Sequence, residues 1–546
     1  MELNLPRVHE AIAAAIPDRE CLVHRDRRLT WGDVTDRSRR FASGLHERGI
    51  GRTARHDDVP GWGSPHDHVA LYLHNGVEYL EAMLGAMKAG AAPFNVNYRY
   101  VAEELRYLLA DAGARVVVHH EAFTPVLAAV LPGLPMIELV VRVPDGSDHD
   151  PLPGSIDYES LLATSDPDLP PELVDSWTGD DLYLLYTGGT TGMPKGVCWR
   201  QADFLVAALG VRDRDGEEYA SLDPLVERAR RGGLRALPSP PFMHGAAHWN
   251  AISAWIAGGT VVVQDRTDHL DPADVLGVCE REQVTSLLIV GDPFARPLVE
   301  ELERRPRSLD HLRFVMTGGA VLGANLAARL GELIPTATIV DVLGSSESGR
   351  QGTRRSSGDT ATAGRFSPSA GSVVLSDDRT RVLAPGEAEI GWLAQSGRIP
   401  RGYLGDPDKT ASTFPTIDGV RYSVPGDRAR LLPDGTIELH GRDAATINSG
   451  GEKIFAEEVE AAVKQHPDVV DAVVVGRPSE RWGQEVVAIV ALRPGAGPSD
   501  DELRARCSEH LARYKVPKAF VRRDAVVRSP AGKADYRWAR EQATAH

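Results

Sequence analysis

Hydrophobic and polar positions alternate between two periods along most of this chain. Short β-branched runs of four or five residues are followed by stretches with an apolar residue every three or four positions. Residues 69–73 (Val-Ala-Leu-Tyr-Leu) read as a buried strand and residues 77–89 as the helix after it. Residues 115–119 and 139–143 repeat the strand pattern. Strands alternating with helices predict parallel sheets covered by helices. The pattern then changes. Residues 373–389 and 431–439 look antiparallel, the second a hairpin turning at Pro433-Asp434-Gly435. Beyond Gly441-Arg442-Asp443-Ala444 comes a compact unit, with helix 456–465, strands 469–475 and 485–492, and helix 500–511. The expected class is α/β: a large N-terminal domain (1–441) of parallel sheets covered by helices plus a small β-barrel-like part, and a small α+β C-terminal domain (442–546).

Composition narrows the function. With 546 residues, 42% apolar and 25% charged, the chain is ordinary globular material for about three to four core-sized units. A net charge of −16 argues against wrapping a nucleic-acid backbone, which needs clustered Lys and Arg. Cys21, Cys198, Cys279 and Cys507 lie far apart without paired spacing; this speaks against a zinc site or disulfide framework and suits a reducing cytoplasm. The start, Met1-Glu2-Leu3-Asn4-Leu5-Pro6, lacks the basic-then-apolar order of a secretion signal. Apolar runs such as 261–263 and 287–290 are too short to span a membrane. Two stretches read as exposed insertions: 52–67, rich in Gly, Pro, Asp and His, and the heavily charged 213–233, expected as a helical flap near the site.

The most informative stretch is Tyr186-Thr187-Gly188-Gly189-Thr190-Thr191-Gly192-Met193-Pro194-Lys195-Gly196-Val197, directly after the apolar run Leu182-Tyr183-Leu184-Leu185. A strand entering such a loop offers bare backbone N–H groups and hydroxyls to phosphate oxygens, and Lys195 adds positive charge. It is not a Walker loop, because Pro194 before the lysine and Gly196 after it disfavour a helix start.

This loop resembles the phosphate loop of the adenylate-forming superfamily: acyl-CoA synthetases, firefly-type luciferases and peptide-synthetase adenylation domains. Further segments resemble that family in the same order, from about Leu29 to the last helix. Forming an acyl-adenylate pushes a carboxylate onto the α-phosphorus of ATP, and two unit charges 4 Å apart repel by about 4 kcal/mol at an effective dielectric near 20. Such a site needs cations and fixed donors. In Leu343-Gly344-Ser345-Ser346-Glu347 the resemblance implies that Glu347 holds Mg²⁺ and that Ser346 touches the α-phosphate. Leu343 stands where an aromatic usually stacks on adenine, and Ser346 replaces the usual threonine. Asp427, after Val424-Pro425-Gly426, matches the aspartate that accepts from both ribose hydroxyls, with Arg442 at the hinge side of the same ribose. Met316-Thr317-Gly318-Gly319-Ala320 resembles the segment lining the adenine and the acyl group.

Pro241-Phe242-Met243-His244-Gly245 matches the segment whose aromatic residue gates the acyl and pantetheine channels, with His244 as the gate. Met243, His244, Gly245, Ala246, Thr317 and Gly318 are the implied acyl-pocket residues. Small residues Gly245, Ala246 and Ala247 beside His244 are compatible with a wide pocket. No aspartate stands where amino-acid-activating relatives hold an α-amino group. Lys533, in Ser529-Pro530-Ala531-Gly532-Lys533, matches the lysine that contacts the carboxylate and α-phosphate and then swings away with a mobile C-terminal domain. Ser449-Gly450-Gly451-Glu452-Lys453 matches the loop facing the pantetheine arm of CoA, so Gly450, Gly451 and Lys453 are its implied contacts. Ala444 replaces the usual hinge Asp or Lys.

The expected function is an acyl-CoA ligase using ATP (released as AMP), Mg²⁺ and coenzyme A on a carboxylic acid in the cytoplasm. Resemblance to actinobacterial ligases for steroid side chains and other bulky acids rests on Leu184-Leu185-Tyr186, Ile399-Pro400, Gly419-Val420-Arg421-Tyr422 and Pro530-Ala531-Gly532-Lys533-Ala534-Asp535-Tyr536-Arg537-Trp538. A homodimer is among the expectations. Two other readings stay open: an enzyme that converts preformed acyl-AMP to acyl-CoA and depends on an adenylating partner, and a non-catalytic nucleotide- or acyl-binding protein. The departures at Leu343, Ser346 and Ala444, with Arg350 and Arg401, favour the former; the presence of Lys195, Glu347 and Lys533 favours the complete ligase.

Overall fold

The structure is a computed structural model that describes residues 2–187, 193–356, 364–442, 445–449, 452–479, 482–511, 513–529 and 532–545. The alternation of strand and helix periods builds two parallel sheets. The first runs Ala92–Asn95, His68–Tyr72, Ala114–His120, Leu139–Val143, Ile156–Asp157, with all neighbours parallel. The second begins at Arg27–Thr30 and continues through Glu20–His24, Thr260–Val263, Arg235–Pro238, Ser286–Ile289, Phe314–Gly318 and Thr338–Ser345. Only the edge pair of Arg27–Thr30 with Glu20–His24 is antiparallel in that run.

Both faces of these strands are apolar, as sheets covered on both sides require. Val69 and Leu71 point into the core cluster shared with helices Leu5–Ala15, Trp31–His46 and Val77–Lys88, whereas Ala70 and Tyr72 point into a second cluster with Phe94, Leu105 and Leu127. In the second sheet Leu22 and Val261 face the shared core, and Val23 and Val262 face the opposite layer with helices Pro272–Arg281, Gly291–Arg304 and Ala324–Leu333.

The second sheet does not stop at its parallel part. Thr338–Ser345 turns back into Gly349–Ser356, and the ladder runs on through Arg365–Pro368 into the antiparallel strands Ile437–Arg442, Asp427–Leu431, Gly391–Ser396, Val420–Ser423 and Thr416–Ile417. Ser372–Leu375 adds to Gly391–Ser396, and Val374, Leu383, Leu393, Ala429 and Ile437 fill the core of this part. The hairpin at Pro433-Asp434-Gly435 closes as expected, with Leu432 N donating to Thr436 O at 2.9 Å and Gly435 at φ +80°. A three-stranded antiparallel sheet joins Leu182–Thr187, Lys195–Arg200 and Gly402–Tyr403.

The C-terminal unit is α+β. Glu452–Phe455, Thr446–Ser449, Gly483–Leu492 and Val469–Ser479 pair in that order, and Ala519–Arg523 lies parallel to Gly483–Leu492. Helices Ala456–Val463, Asp500–Ser508 and Tyr536–Thr544 cover it. Ser499 and Glu502 form a reciprocal cap at the start of the second of these, which explains where that helix begins.

One expectation changes. The charged stretch 213–233 is not a flap over the site. Its helix Asp223–Arg230 turns Leu225 and Ala229 into the core against the first helix, and Arg19 donates to Ala229 O at 2.9 Å. Glu347 itself occupies the hairpin turn between Thr338–Ser345 and Gly349–Ser356.

Candidate functional site

Leu182–Thr187 and Lys195–Arg200, on either side of the glycine-rich stretch, pair antiparallel as a hairpin. Thr187 ends one strand directly opposite Lys195, which begins the next. Residues Gly188, Gly189, Thr190, Thr191 and Gly192 lie outside the described residues. The base of this hairpin is pinned by a residue that sequence reasoning missed. Asn95 accepts from Tyr186 N at 2.9 Å and donates to Tyr186 O at 2.8 Å and Met243 O at 2.7 Å. Asn75 plays the same part for the neighbouring segment, accepting from Phe242 N at 2.5 Å and donating to Pro240 O at 3.0 Å. Both asparagines stand at or just beyond the carboxyl ends of parallel strands, where open α/β sheets carry their ligands. That position was the available signal.

Lys195 reaches Asp406, the cap of helix Pro407–Thr413. With side chains 40% and 28% exposed, such a pair is worth only about 0.2–1 kcal/mol to stability. Glu347 accepts from the Tyr403 hydroxyl on Oε1 at 3.0 Å, while its backbone carbonyl accepts from Ser423 Oγ at 2.7 Å. Trp199 Nε1 donates to Ser346 O at 2.9 Å, and Ser345 Oγ meets Ser348 Oγ at 2.8 Å. The turn carrying the glutamate is thus fixed from three sides. One carboxylate oxygen engaged by a hydroxyl leaves the other to a hard cation, so Glu347 fits Mg²⁺ as a donor.

Gly344 faces Arg350 across the strand pair, at a bulge beside Leu343. Leu343 leans on the antiparallel core with Leu431 and Leu439. Asp427 opens its strand directly opposite Arg442, so the ladder register brings the two expected ribose contacts side by side in the backbone. The side chains of Arg442 and Lys453, and Gly450 and Gly451 altogether, lie outside the described residues, as does Ala444.

Thr317 is fully buried, and its hydroxyl accepts from Gly291 N at 3.0 Å, holding the start of helix Gly291–Arg304. Gly318 packs so close to the next strand that a Cβ would stand 2.9 Å from Val342 O. Gly319, at φ +81°, and Ala320 lead away from the strand. Met243 is turned into the core with Phe94 and Tyr186, and its backbone carbonyl accepts from Asn95. Gly245 starts helix Gly245–Ile256 against Leu185 and Trp249, and Ala246 is exposed.

His244 caps that helix. Burial, then the charge of Lys533, then His248 and Arg99, push its ring down to about 3. Its Nε2 is buried with no hydrogen-bond partner among the described residues. A ring that stays neutral at physiological pH can shape a channel but supplies no proton.

Lys533 arrives from the other domain. Its turn is closed by Gly532 N donating to Ser529 O at 2.8 Å and Ser529 N to Lys533 O at 2.7 Å. Arg528, paired with Asp471 at 2.7 Å, also donates to Gly532 O at 3.1 Å. Gly532 sits at φ +72°, and a Cβ there would stand 3.3 Å from both Val290 and Pro293 of the large domain. Val290 also flanks Gly319. Two further contacts join the domains: Lys464 to Asp292 at 3.0 Å, and Asn325 to Gln465 at 3.2 Å. The structure therefore brings Lys533, His244 and Gly319 together, and separately joins Lys195 and Glu347 to segment 402–406.

Among the described residues one group has metal-like spacing, His56, His66 and Asp181. It is an ion-pair and hydrogen-bond network, in which His56 Nδ1 and Arg52 Nε find no partner among the described residues. Arg52 pairs with Asp181, Leu182 N donates to His66 Nε2 at 3.3 Å, and His66 Nδ1 meets Gly90 O at 2.8 Å.

Comparison with known proteins agrees with this geometry. The family described as AMP-binding enzyme matches residues 9–404, and its C-terminal domain matches residues 458–533. The chain is 50% identical to the medium-chain acyl-CoA ligase Mig of Mycobacterium avium, over 99% of this chain and 98% of that one. It is 38% identical to the 3-oxocholest-4-en-26-oate–CoA ligase of Rhodococcus rhodochrous, over 99% and 96%. Among solved structures, the anthranilate CoA ligase AuaEII in complex with anthranoyl-AMP shares the fold, with a TM-score of 0.82 at 22% identity over 100% of this chain and 98% of that one.

Proposed function

We propose that this chain, which belongs to the AMP-binding enzyme family and is an ATP-dependent acyl-CoA ligase, acts on medium-chain fatty acids first and on polycyclic steroid side-chain acids second. A ligase of this kind joins a carboxylate to ATP as acyl-AMP with loss of pyrophosphate, and the CoA thiol then attacks the acyl carbonyl and expels AMP. The medium-chain preference is supported by the relative at 50% identity, and the second class by relatives at 38–40% whose names include 3-oxocholest-4-en-26-oate.

The observation that carries the assignment of roles is the Lys533 turn seated against Val290 and Pro293, beside Gly319 and within electrostatic reach of His244. An ammonium there offsets the repulsion between the acid and the α-phosphate as charge redistributes. Thr187, the 188–192 loop and Lys195 hold the phosphates; Gly318, Gly319, Ala320, Leu343, Gly344, Ser345 and Ser346 border the nucleotide; Asp427 and Arg442 take the ribose. His244 is a neutral gate with Gly245, Ala246 and Thr317 about it. Glu347 holds Mg²⁺, which when bound neutralises phosphate charge. Residues 442–546 form the swinging domain, whose Gly450, Gly451 and Lys453 face CoA after adenylation. Four free, buried cysteines suit a cytoplasmic location.

The test separates the half-steps. Pyrophosphate release is followed without CoA on octanoic, decanoic and 3-oxo-steroid acids, and thioester formation is followed by mass spectrometry from synthetic acyl-AMP plus CoA. The complete ligase gives both signals, strongest with the linear acids. Conversion of acyl-AMP with no pyrophosphate release from any acid would instead assign the second half-reaction alone.

A further inference from the structure

The two charged groups assigned to Mg·ATP, Lys195 and Glu347, are both held from one short segment that has no assigned role. Gly402–Tyr403 pairs antiparallel with Lys195–Arg200, Gly402 opposite Cys198 and Tyr403 opposite Val197. Arg401 N donates to Cys198 O and Leu404 N to Gly196 O, each at 2.8 Å. This ladder seats the Tyr403 hydroxyl on Glu347 Oε1 at 3.0 Å. Three residues on, the Asp406 carboxylate meets the Lys195 ammonium through Oδ2. Its other oxygen accepts from Lys409 N at 2.9 Å and caps helix Pro407–Thr413.

Resting on the proposed adenylation site, we infer that segment 402–406 is a positioning clamp for the triphosphate: Asp406 aims Lys195 and Tyr403 aims Glu347. A lysine is a flexible four-carbon stem with three donors, so one donor spent on Asp406 fixes its direction and leaves two for phosphate oxygens. Tyr403 occupies a single oxygen of Glu347 and so turns the carboxylate without blocking it. The backbone ladder secures the segment by itself, and the Lys195–Asp406 pair is too exposed to matter much for stability. Preorganisation of charge is what remains for these two side chains to contribute. Both are positioning residues, acting through Lys195 and Glu347.

Asp406→Asn tests the clamp because asparagine caps a helix about as well as aspartate yet carries no charge; Tyr403→Phe removes only a hydroxyl. For each variant and for wild type, Mg·ATP binding is measured by titration calorimetry, pyrophosphate release is measured against ATP and against Mg²⁺, and thioester formation is measured from synthetic acyl-AMP. D406N is expected to weaken Mg·ATP binding and raise KM for ATP by about tenfold, and Y403F to raise the half-saturating Mg²⁺ by about tenfold. Both should form thioester from acyl-AMP within about twofold of wild type, as removal of adenylation-specific contacts requires. If both folded variants bind Mg·ATP and respond to Mg²⁺ as wild type does, the clamp is wrong. If D406N behaves as wild type while Asp406→Ala only lowers the melting temperature, Asp406 is a cap and nothing more. Should wild type release no pyrophosphate with any acid, the adenylation reading fails on its own, and the calorimetric comparison still decides the clamp.

Discussion

Lys533 has little freedom in where it starts. Its backbone N–H meets Ser529 Oγ at 3.2 Å, and Gly532 before it is fixed at φ +72° against the large domain. Lys533→Ala should therefore cost acid-dependent pyrophosphate release about 10²–10³-fold, as loss of one preorganised electrostatic contact does. Thioester formation from acyl-AMP should stay within a few-fold, and equal loss of both steps would place the lysine elsewhere in the mechanism. Asn95 makes a different prediction. Asn95→Ala leaves Tyr186 N, Tyr186 O and Met243 O without their partners in a buried setting, at about 1–3 kcal/mol for each orphaned group. The variant should melt several degrees lower by scanning fluorimetry and bind ATP more weakly, because Asn95 holds the strand that leads into the proposed phosphate-binding stretch. The glycine-rich stretch and Lys195 stand out in the sequence because their pattern is local. Asn95 does not, because its partners Tyr186 and Met243 are 91 and 148 positions away.

At the scale of elements, the turn around Gly532 and the start of helix Gly291–Arg304 are among the parts that meet across the domains. Valine at position 532 would need a positive φ that β-branched residues resist and would press on Val290 and Pro293. Gly532→Val should depress pyrophosphate release at least about tenfold while sparing the acyl-AMP step, through loss of alignment rather than of charge. The Lys464–Asp292 pair is mostly shielded, with side chains 13% and 12% exposed, and joins the same two bodies. Lys464→Ala should lower adenylation by about fivefold or more, the size of an ordinary coupling free energy, and leave thioester formation equal or faster. Hydrophobic period predicted strands His68–Tyr72, Ala114–His120 and Leu139–Val143 and helix Val77–Lys88. It misplaced the charged stretch 213–233, because Leu225 and Ala229, with Leu222 and Val226 beside them, turn helix Asp223–Arg230 onto the core, and net charge hides these few apolar positions.

For the whole molecule, burial sets the response to acid. It pushes His24, His66, His119 and His248 down to about 4 and His244 to about 3. Unfolded histidine takes up its proton near 6.5, so between about pH 6.5 and 4 the unfolded chain binds more protons at these five sites and stability falls with pH. Glu81 and Asp341, raised by burial to about 7 and 6, act in the opposite direction but are fewer. Stability should therefore fall by about 1.4 kcal/mol per pH unit below about pH 6.5 for each uncompensated group, and the melting temperature should drop clearly from pH 7.5 to pH 5; a flat profile would contradict the burial pattern. The amino-acid sequence by itself determined the α/β order, and a glycine-rich stretch, a carboxylate and a terminal lysine of the kinds adenylate chemistry needs. Each of these is written in neighbouring residues, through period, turn chemistry or bare backbone. Only the tertiary structure decided that Asp406 meets Lys195 across 211 positions, Tyr403 meets Glu347 across 56, and Lys464 meets Asp292 across 172. Such pairs depend on which strands adjoin and how two domains sit together, and that follows from packing the whole chain.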